Sequence, residues 1–127
     1  MSAPKDLKYT NTHEWVKFLD DGTALTGLSD FAQHALGDLV FVNLPAAGDS
    51  VTCGEPYMDV ESVKAVADTY SPVSGVILEV NEEVGDAPQK INEDPYGSWT
   101  IKIGDITDKS DLMDADDYDK FCEEEEA

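Results

Sequence analysis

Apolar and polar positions alternate with a period of two along most of this chain, the pattern of half-buried strands. Glu14-Trp15-Val16-Lys17-Phe18-Leu19 alternates in this way, Asp20-Asp21-Gly22 makes a turn, and residues 23–28 return as a second strand. From Ser29 to Gly37 the period changes and predicts a short helix, with Ser29 as N-cap and Gly37 as the stop. Strand character resumes over 38–44 and ends at Pro45. Several strands follow between 51 and 81, separated by Gly54-Glu55-Pro56, by a turn at Lys64, and by Ser71-Pro72-Val73-Ser74-Gly75. After the turn sequence Asp94-Pro95-Tyr96-Gly97, residues 99–103 predict the last strand. Residues 110–126 are helical in character: Leu112, Met113, Tyr118 and Phe121 supply an apolar stripe, and Asp116 or Asp117 can cap a second helix. The final four glutamates read as a solvated, frayed tail.

The elements are therefore mainly β with short helices. One echo bears on their arrangement. Val42-Asn43-Leu44-Pro45-Ala46-Ala47-Gly48-Asp49 resembles Val80-Asn81-Glu82-Glu83-Val84-Gly85-Asp86 with one gap, and the copies flank the Lys64 turn. Duplicated strand-loop units around a central tip predict a sheet sandwich with approximate two-fold symmetry.

A length of 127 residues predicts one domain spanning 1–127, with a core over about 7–122 and an acidic tail at 123–127. The charge changes the picture more than the length does. There are 28 acids against eight lysines and no arginine, for a formal charge of −20. So negative a surface repels nucleic acid and anionic membrane and favours basic partners. Without arginine there is no fork for phosphate or carboxylate, which argues against a phosphorylated substrate. Cys53 and Cys122 lie far apart in no metal spacing, and His13 and His34 are too few for a histidine-rich site, so no metal is expected. Neither a Gly-x-Ser-x-Gly elbow nor a glycine-rich phosphate loop is present, and independent catalysis is not expected. No apolar run approaches membrane-spanning length, and the first residues carry neither a signal peptide nor an arginine-rich transit segment.

Against this acidic background one cation is singular. Lys64 is the only lysine between Lys17 and Lys90, and it sits in Asp59-Val60-Glu61-Ser62-Val63-Lys64-Ala65-Val66-Ala67-Asp68. Apolar and acidic positions alternate up to it and away from it, as in two short strands with Lys64 near the turn. That placement presents an amine on a long stem, with little competing amine nearby, to an enzyme that acylates one lysine and ignores the others. Surface lysines are ordinarily only solvated charge; the isolation and symmetric flanks set this one apart.

Six ordered blocks carry a resemblance: Tyr9-Thr10-Asn11-Thr12-His13-Glu14-Trp15-Val16; Leu36-Gly37-Asp38-Leu39-Val40-Phe41-Val42-Asn43-Leu44-Pro45; Glu61-Ser62-Val63-Lys64-Ala65; Ser71-Pro72-Val73-Ser74-Gly75; Val80-Asn81-Glu82; and Asn92-Glu93-Asp94-Pro95-Tyr96-Gly97. In this order, over roughly 7–122, they resemble the H proteins of the glycine cleavage system, which are lipoyl carriers. The resemblance implies a hammerhead, barrel-sandwich hybrid lipoyl-type β-sandwich with short flanking helices, C-terminal helices among them. It implies lipoate in amide linkage on Lys64, with Glu61, Val63 and Ala65 as flanking recognition residues. It implies a non-catalytic, monomeric shuttle served by a lipoate ligase or transferase. The shuttle would take the aminomethyl group of glycine from a pyridoxal-phosphate glycine decarboxylase to a tetrahydrofolate-dependent aminomethyltransferase, and dihydrolipoamide dehydrogenase would reoxidise it.

The resemblance further places Thr12, Glu14, Asp68 and Ser71 near a cleft that holds the carried group, with Glu14 the leading candidate; an acid there could equally be a helix- or loop-terminus carboxylate paired with a lysine. The ending Tyr118-Asp119-Lys120-Phe121-Cys122-Glu123-Glu124-Glu125-Glu126 is similar to plant and algal members. That similarity implies a photorespiratory protein of the mitochondrial matrix, with bacterial cytoplasm as the alternative. Gly97-Ser98-Trp99 is tighter than the Gly-x-Gly-Trp common in the family and leaves the local turn open. Rival carriers fit less well. Biotinyl carriers flank their lysine with methionines, whereas Val63 and Ala65 stand here and Met58 is six positions away; lipoyl domains of 2-oxoacid dehydrogenases are shorter and carry Asp-Lys-Ala. An H-like protein that donates lipoyl groups to other enzymes would use the same lysine.

Overall fold

The computed structural model describes residues 3–126. Among these residues nine strands form two antiparallel sheets. The larger has six strands: β1 (Lys8–Tyr9), β2 (Glu14–Phe18), β3 (Ala24–Leu28), β9 (Ile101–Lys109), β8 (Val73–Val80) and β5 (Ser50–Val51), in that spatial order. The smaller contains β4 (Leu39–Asn43), β6 (Pro56–Ser62) and β7 (Val66–Tyr70), with β6 central. Alternation drives the burial: Met58 and Val60 on β6 face inward with Leu39 and Val42 of β4, while the intervening positions face outward. This apolar face is closed by Ala32 of α1 (Asp30–Leu36), Val84 of α2 (Glu82–Asp86) and Ile91 of α3 (Gln89–Glu93). Val73, Ile77, Ile101 and Ile103 fill the large sheet's own cluster, and Tyr57 packs against both.

Ser29 caps α1 as its chemistry predicts, accepting from the Ala32 N–H, and Gly37 ends it at φ 83°, a conformation that favours glycine. The echoed segments diverge. Val42 and Asn43 end β4 and lead into a loop, whereas Asn81 caps α2 by accepting from the Glu83 N–H. The two copies meet at the core edge, where a Cβ on Gly85 would lie 3.0 Å from Leu44 Cδ1.

Three boundaries differ from the sequence pattern. Ser71-Pro72-Val73-Ser74-Gly75 is not simply a break, because β8 begins at Val73, and its length draws β9 out to Lys109 opposite it. Residues 99–100 precede β9; the Trp99 carbonyl accepts from Asn81, and Thr100 is tied to the Thr26 carbonyl. The chain then runs extended to Met113, which exchanges backbone hydrogen bonds with Tyr9 at 2.8 and 2.9 Å. A single C-terminal helix, α4 (Ala115–Glu126), follows. Its cap is Asp114, whose carboxylate accepts from the Asp117 N–H at 2.9 Å; Asp116 and Asp117 lie instead in the first turn, where acids favour the helix dipole. The glutamates expected to fray are helical through Glu126; Ala127 lies outside the described residues.

Candidate functional site at the hairpin tip and the Glu14 carboxylate

Lys64 stands at the tip joining β6 to β7, two strands paired at Asp59 with Asp68 and at Glu61 with Val66. The tip is closed by its own serine. The Ser62 N–H donates to the Ala65 carbonyl at 2.8 Å, and Ser62 Oγ accepts from the Lys64 and Ala65 N–H groups at 3.2 and 3.1 Å. A side-chain oxygen that takes two successive N–H groups fixes a turn which has no further ladder bonds to hold it. The Val63 N–H donates to the Asp38 carbonyl at 3.2 Å and ties the tip to the α1–β4 loop. In that loop Gly37 leaves room beside the lysine stem, since a Cβ there would sit 3.5 Å from Lys64 Cε. Lys64, Val63 and Ala65 are exposed, Glu61 is half-buried, and among the described residues Lys64 makes no ion pair.

Glu14 opens β2 and is only 1 % exposed, with no lysine paired to it among the described residues. Its Oε1 accepts from the Thr10 hydroxyl at 2.7 Å and from the Thr12 hydroxyl; its Oε2 accepts from the Tyr70 N–H at 3.3 Å. Burial pushes its pKa up to about 7, against the downward pull of these hydrogen bonds. At neutral pH the group is thus balanced between acid and carboxylate, the condition in which an approaching cation decides its charge. Tyr70 ends β7, an edge strand whose outer N–H groups have no neighbouring strand, and Glu14 takes one of them. From Val66 to Tyr70 the strand rise covers about 13 Å.

The sequence candidates divide accordingly. Thr12 and Glu14 share a hydrogen bond. Asp68 is exposed and cross-strand from Asp59, and no described hydrogen bond joins it to Glu14. Ser71 is buried next to Tyr70, but its hydroxyl donates to the Val73 carbonyl at 2.7 Å. Thr10, which the sequence reading passed over, is buried and both accepts from the Glu14 N–H at 3.0 Å and donates to its carboxylate. The run of hydroxyls two and four residues before a strand-opening glutamate was the available signal. Tyr70 contributes a backbone group, and no side-chain pattern announces that.

His13 anchors this loop from behind. It adopts a left-handed φ of 70°, stacks on Phe31 with centroids 4.4 Å apart, and places Nδ1 2.7 Å from the Tyr118 hydroxyl and Nε2 2.7 Å from Glu125. Tyr118 also meets Ser29 Oγ at 2.6 Å, so α4 and the start of α1 together hold the residue before Glu14. Beside it, Trp15 lies over Gly27, where any Cβ would fall 2.9 Å from the indole, and its Nε1 donates to the Pro95 carbonyl. The turn left open at Gly97 closes through its N–H to the Asp94 carboxylate at 3.1 Å, while the Ser98 hydroxyl donates to the Lys90 carbonyl.

An exposed amine on a braced tip and a buried, hydroxyl-lined carboxylate suit a protein that holds a tethered group. Comparison with known proteins agrees. A family profile described as "Glycine cleavage H-protein" matches residues 7–125. The glycine cleavage system H protein of Lachnoclostridium phytofermentans is 54% identical over 125 residues, covering 98% of both chains. A probable glycine cleavage system H protein of Pyrococcus horikoshii is 50% identical over 117 residues, covering 92% of this chain and 87% of the other. The crystal structure of a glycine cleavage system H protein from Mycobacterium marinum superposes with a TM-score of 0.88 at 37% identity, covering 98% of this chain and all of that one. These relatives are bacterial and archaeal, and the plant-like, photorespiratory and mitochondrial expectations drawn from the C-terminal residues find no support in them. The chain belongs to the glycine cleavage H-protein family, the carriers that bear lipoate on a lysine and shuttle within the glycine cleavage system.

Proposed function

We propose that Lys64 is the lysine that carries lipoate and that Glu14 holds the aminomethyl group while it is in transit. The observation that carries this reading is the isolation of Lys64 on a serine-braced hairpin tip, one strand length from a buried carboxylate. The residues present fit the group. The lysine stem is exposed, the tip backbone is held by Ser62 rather than by the amine, and no acid among the described residues pairs with Nζ. The lysine amine attacks an activated acyl donor through its nitrogen lone pair, and the nitrogen gives up a proton as the amide forms. The amide C–N bond forms as the donor's acyl–oxygen bond breaks; the donor's leaving group departs and the protons pass to solvent.

Lipoate supplies a dithiolane that accepts the aminomethyl group and is itself reduced. Everything else is the chain's work. The rigid tip keeps the arm's origin fixed, and tethering raises its local concentration at each docked enzyme. Glu14, as carboxylate, offers a charge-assisted hydrogen bond to the ammonium of the cargo, with Thr10 and Thr12 fixing its orientation. Burial keeps water from that contact. The chain supplies no catalytic group of its own. It acts as one lipoyl-carrier domain, monomeric between encounters, with Glu61, Val63 and Ala65 flanking the modified lysine. The bacterial and archaeal relatives support the cytoplasm as its compartment.

Intact-mass measurement and peptide mapping after exposure to a lipoate ligase test the assignment. One lipoyl-sized increment on the Lys64 peptide, lost in Lys64→Arg, is the expected result; a biotin-sized increment, or none with a competent ligase, would refute it. The partners are glycine decarboxylase, the aminomethyltransferase and dihydrolipoamide dehydrogenase, met through an acidic surface of formal charge −20. Their association rates should therefore fall by at least about tenfold between 20 mM and 500 mM salt. Stopped-flow mixing checks this, and flat rates would remove electrostatics from the docking.

A further inference from the structure

The chain enters Glu14 through a hairpin loop of three residues, 11–13. The Thr10 N–H donates to the Glu14 carbonyl at 3.0 Å, and the His13 N–H donates to the Thr10 carbonyl at 3.2 Å. A loop of this length ends on a left-handed residue, a position that glycine ordinarily fills. Here the residue is His13, at φ 70°. A β-carbon in that region carries a steric cost, and such a residue persists where its surroundings offset it. The His13 ring finds its surroundings on two other elements. It stacks on Phe31 of α1 at 4.4 Å, with Nδ1 2.7 Å from the Tyr118 hydroxyl and Nε2 2.7 Å from a Glu125 carboxylate oxygen. A carboxylate only accepts, so Nε2 carries the proton and donates to Glu125. In the neutral ring Nδ1 then accepts from Tyr118, and Tyr118 accepts from Ser29 Oγ 2.6 Å away. The series runs in one direction from the start of α1, through α4 and the loop histidine, and back to α4.

We propose that His13 is a positioning residue for the carried group: held by Tyr118 and Glu125, it sets the loop so that the Thr10 and Thr12 hydroxyls meet the Glu14 carboxylate. The C-terminal helix thereby governs how long the aminomethyl group is retained. The inference rests on Glu14 being the holding group. Thr12 is exposed, so no core packing aims its hydroxyl; it meets Glu14 because the backbone turns left-handed at the residue between them. Glycine at 13 would adopt that backbone without strain. It would also leave the loop with no contact to α4, and only the Ser29 N–H, which donates to the carbonyl of residue 13 at 3.1 Å, would tie it down. The histidine ring supplies what glycine cannot, a fixed link from the loop to α4. Both ring nitrogens are taken by Tyr118 and Glu125, so His13 acts through Glu14 and not on the cargo itself.

The test uses the full lipoylated chain, loaded by glycine and glycine decarboxylase and then separated from that enzyme, with release of ammonia and formaldehyde as the readout. His13→Gly keeps the left-handed backbone and removes the ring. Glu125→Ala removes one partner of the ring at an exposed position, and Glu124→Ala makes the same change of charge one residue away, where no described hydrogen bond reaches His13. Circular dichroism and thermal melting verify the fold. His13→Gly and Glu125→Ala are expected to speed release at least about fivefold, as loss of one hydrogen bond does, and Glu124→Ala less than about twofold. Combined with Glu14→Ala, the first two should change release less than about twofold, because nothing is left for them to position. Equal acceleration with and without Glu14 would make His13 an ordinary brace of the fold and overturn the inference. Release at the wild-type rate from folded His13→Gly and Glu125→Ala would overturn it as well. An equal rise in Glu124→Ala would assign the effect to the charge of α4 and refute the role of the ring. Should Glu14→Ala alone release its cargo at the wild-type rate, the reading of Glu14 fails first and this inference falls with it.

Discussion

Glu14→Ala should release the carried aminomethyl group to water at least about ten times faster than the wild type, with Lys64 still fully modified. A hydrogen bond to a charged group contributes roughly 1.5–3 kcal/mol, and each 1.4 kcal/mol is a factor of ten. The carboxylate has three donors, Thr10, Thr12 and the Tyr70 N–H, so its position is set before any cation arrives. Quenched-flow measurement of ammonia and formaldehyde from the loaded protein, free of the aminomethyltransferase, reads the release directly. An unchanged rate would remove Glu14 from the holding site. Stability gives a second readout. The folded pKa of about 7 lies above the unfolded value of 4.5. Below pH 4.5 the group is protonated in both states and costs nothing. Between pH 4.5 and 7 the unfolded chain ionises first, and stability falls by about 3 kcal/mol before levelling off. Relative to the wild type, Glu14→Gln should therefore gain about 3 kcal/mol as pH rises from 4.5 to 8, measured by urea unfolding at each pH. A pH-independent difference would mean that the carboxyl is not buried as described. A cation brought next to Glu14 favours its ionised form, so loading should release a proton near neutral pH.

Gly75→Ala is expected to destabilise the fold by about 3 kcal/mol and to lower the melting temperature by roughly 10 °C. The φ of Gly75 is not left-handed, so the cause is purely steric. A Cβ there would enter the van der Waals envelope of the Gly104 carbonyl oxygen on the paired strand β9 and lie 2.8 Å from Ile103 Cγ2. Backbone cannot yield as a flexible side chain can, and Ile103 is fully buried. The register of β8 and β9 shifts between Ser74 and Val76, so the two backbones come together at the glycine. Differential scanning calorimetry checks the prediction; a native melting temperature would show that this approach is looser than described. The tip is expected to remain competent wherever the variant is folded, because Lys64 is held by Ser62 and the Asp38 carbonyl, on the other sheet.

The sequence by itself determined the mainly β class, the Ser29-capped helix, the hairpin with Lys64 at its tip and the glutamate at the head of β2. These depend on local information: a period of two, a hydroxyl before a helix, a charge alone among acids. Partners far apart in the chain were decided elsewhere. The burial that raises the Glu14 pKa, and the Tyr70 N–H that meets it 56 residues away, exist only once β7 presents its open edge to the loop before β2. Asp68 and Ser71 show the same limit from the other side. They neighbour Tyr70 in sequence, yet strand alternation turns Asp68 to the outer row and the Val73 carbonyl takes the Ser71 hydroxyl. The glutamates of α4 were legible as charge but not as structure, because Glu125 gains its partner only when the helix packs beside His13, 112 residues earlier. Burial and hydrogen bonding between distant residues are properties of the packed chain. A local pattern can place a carboxylate on a strand, but only the fold takes away its water.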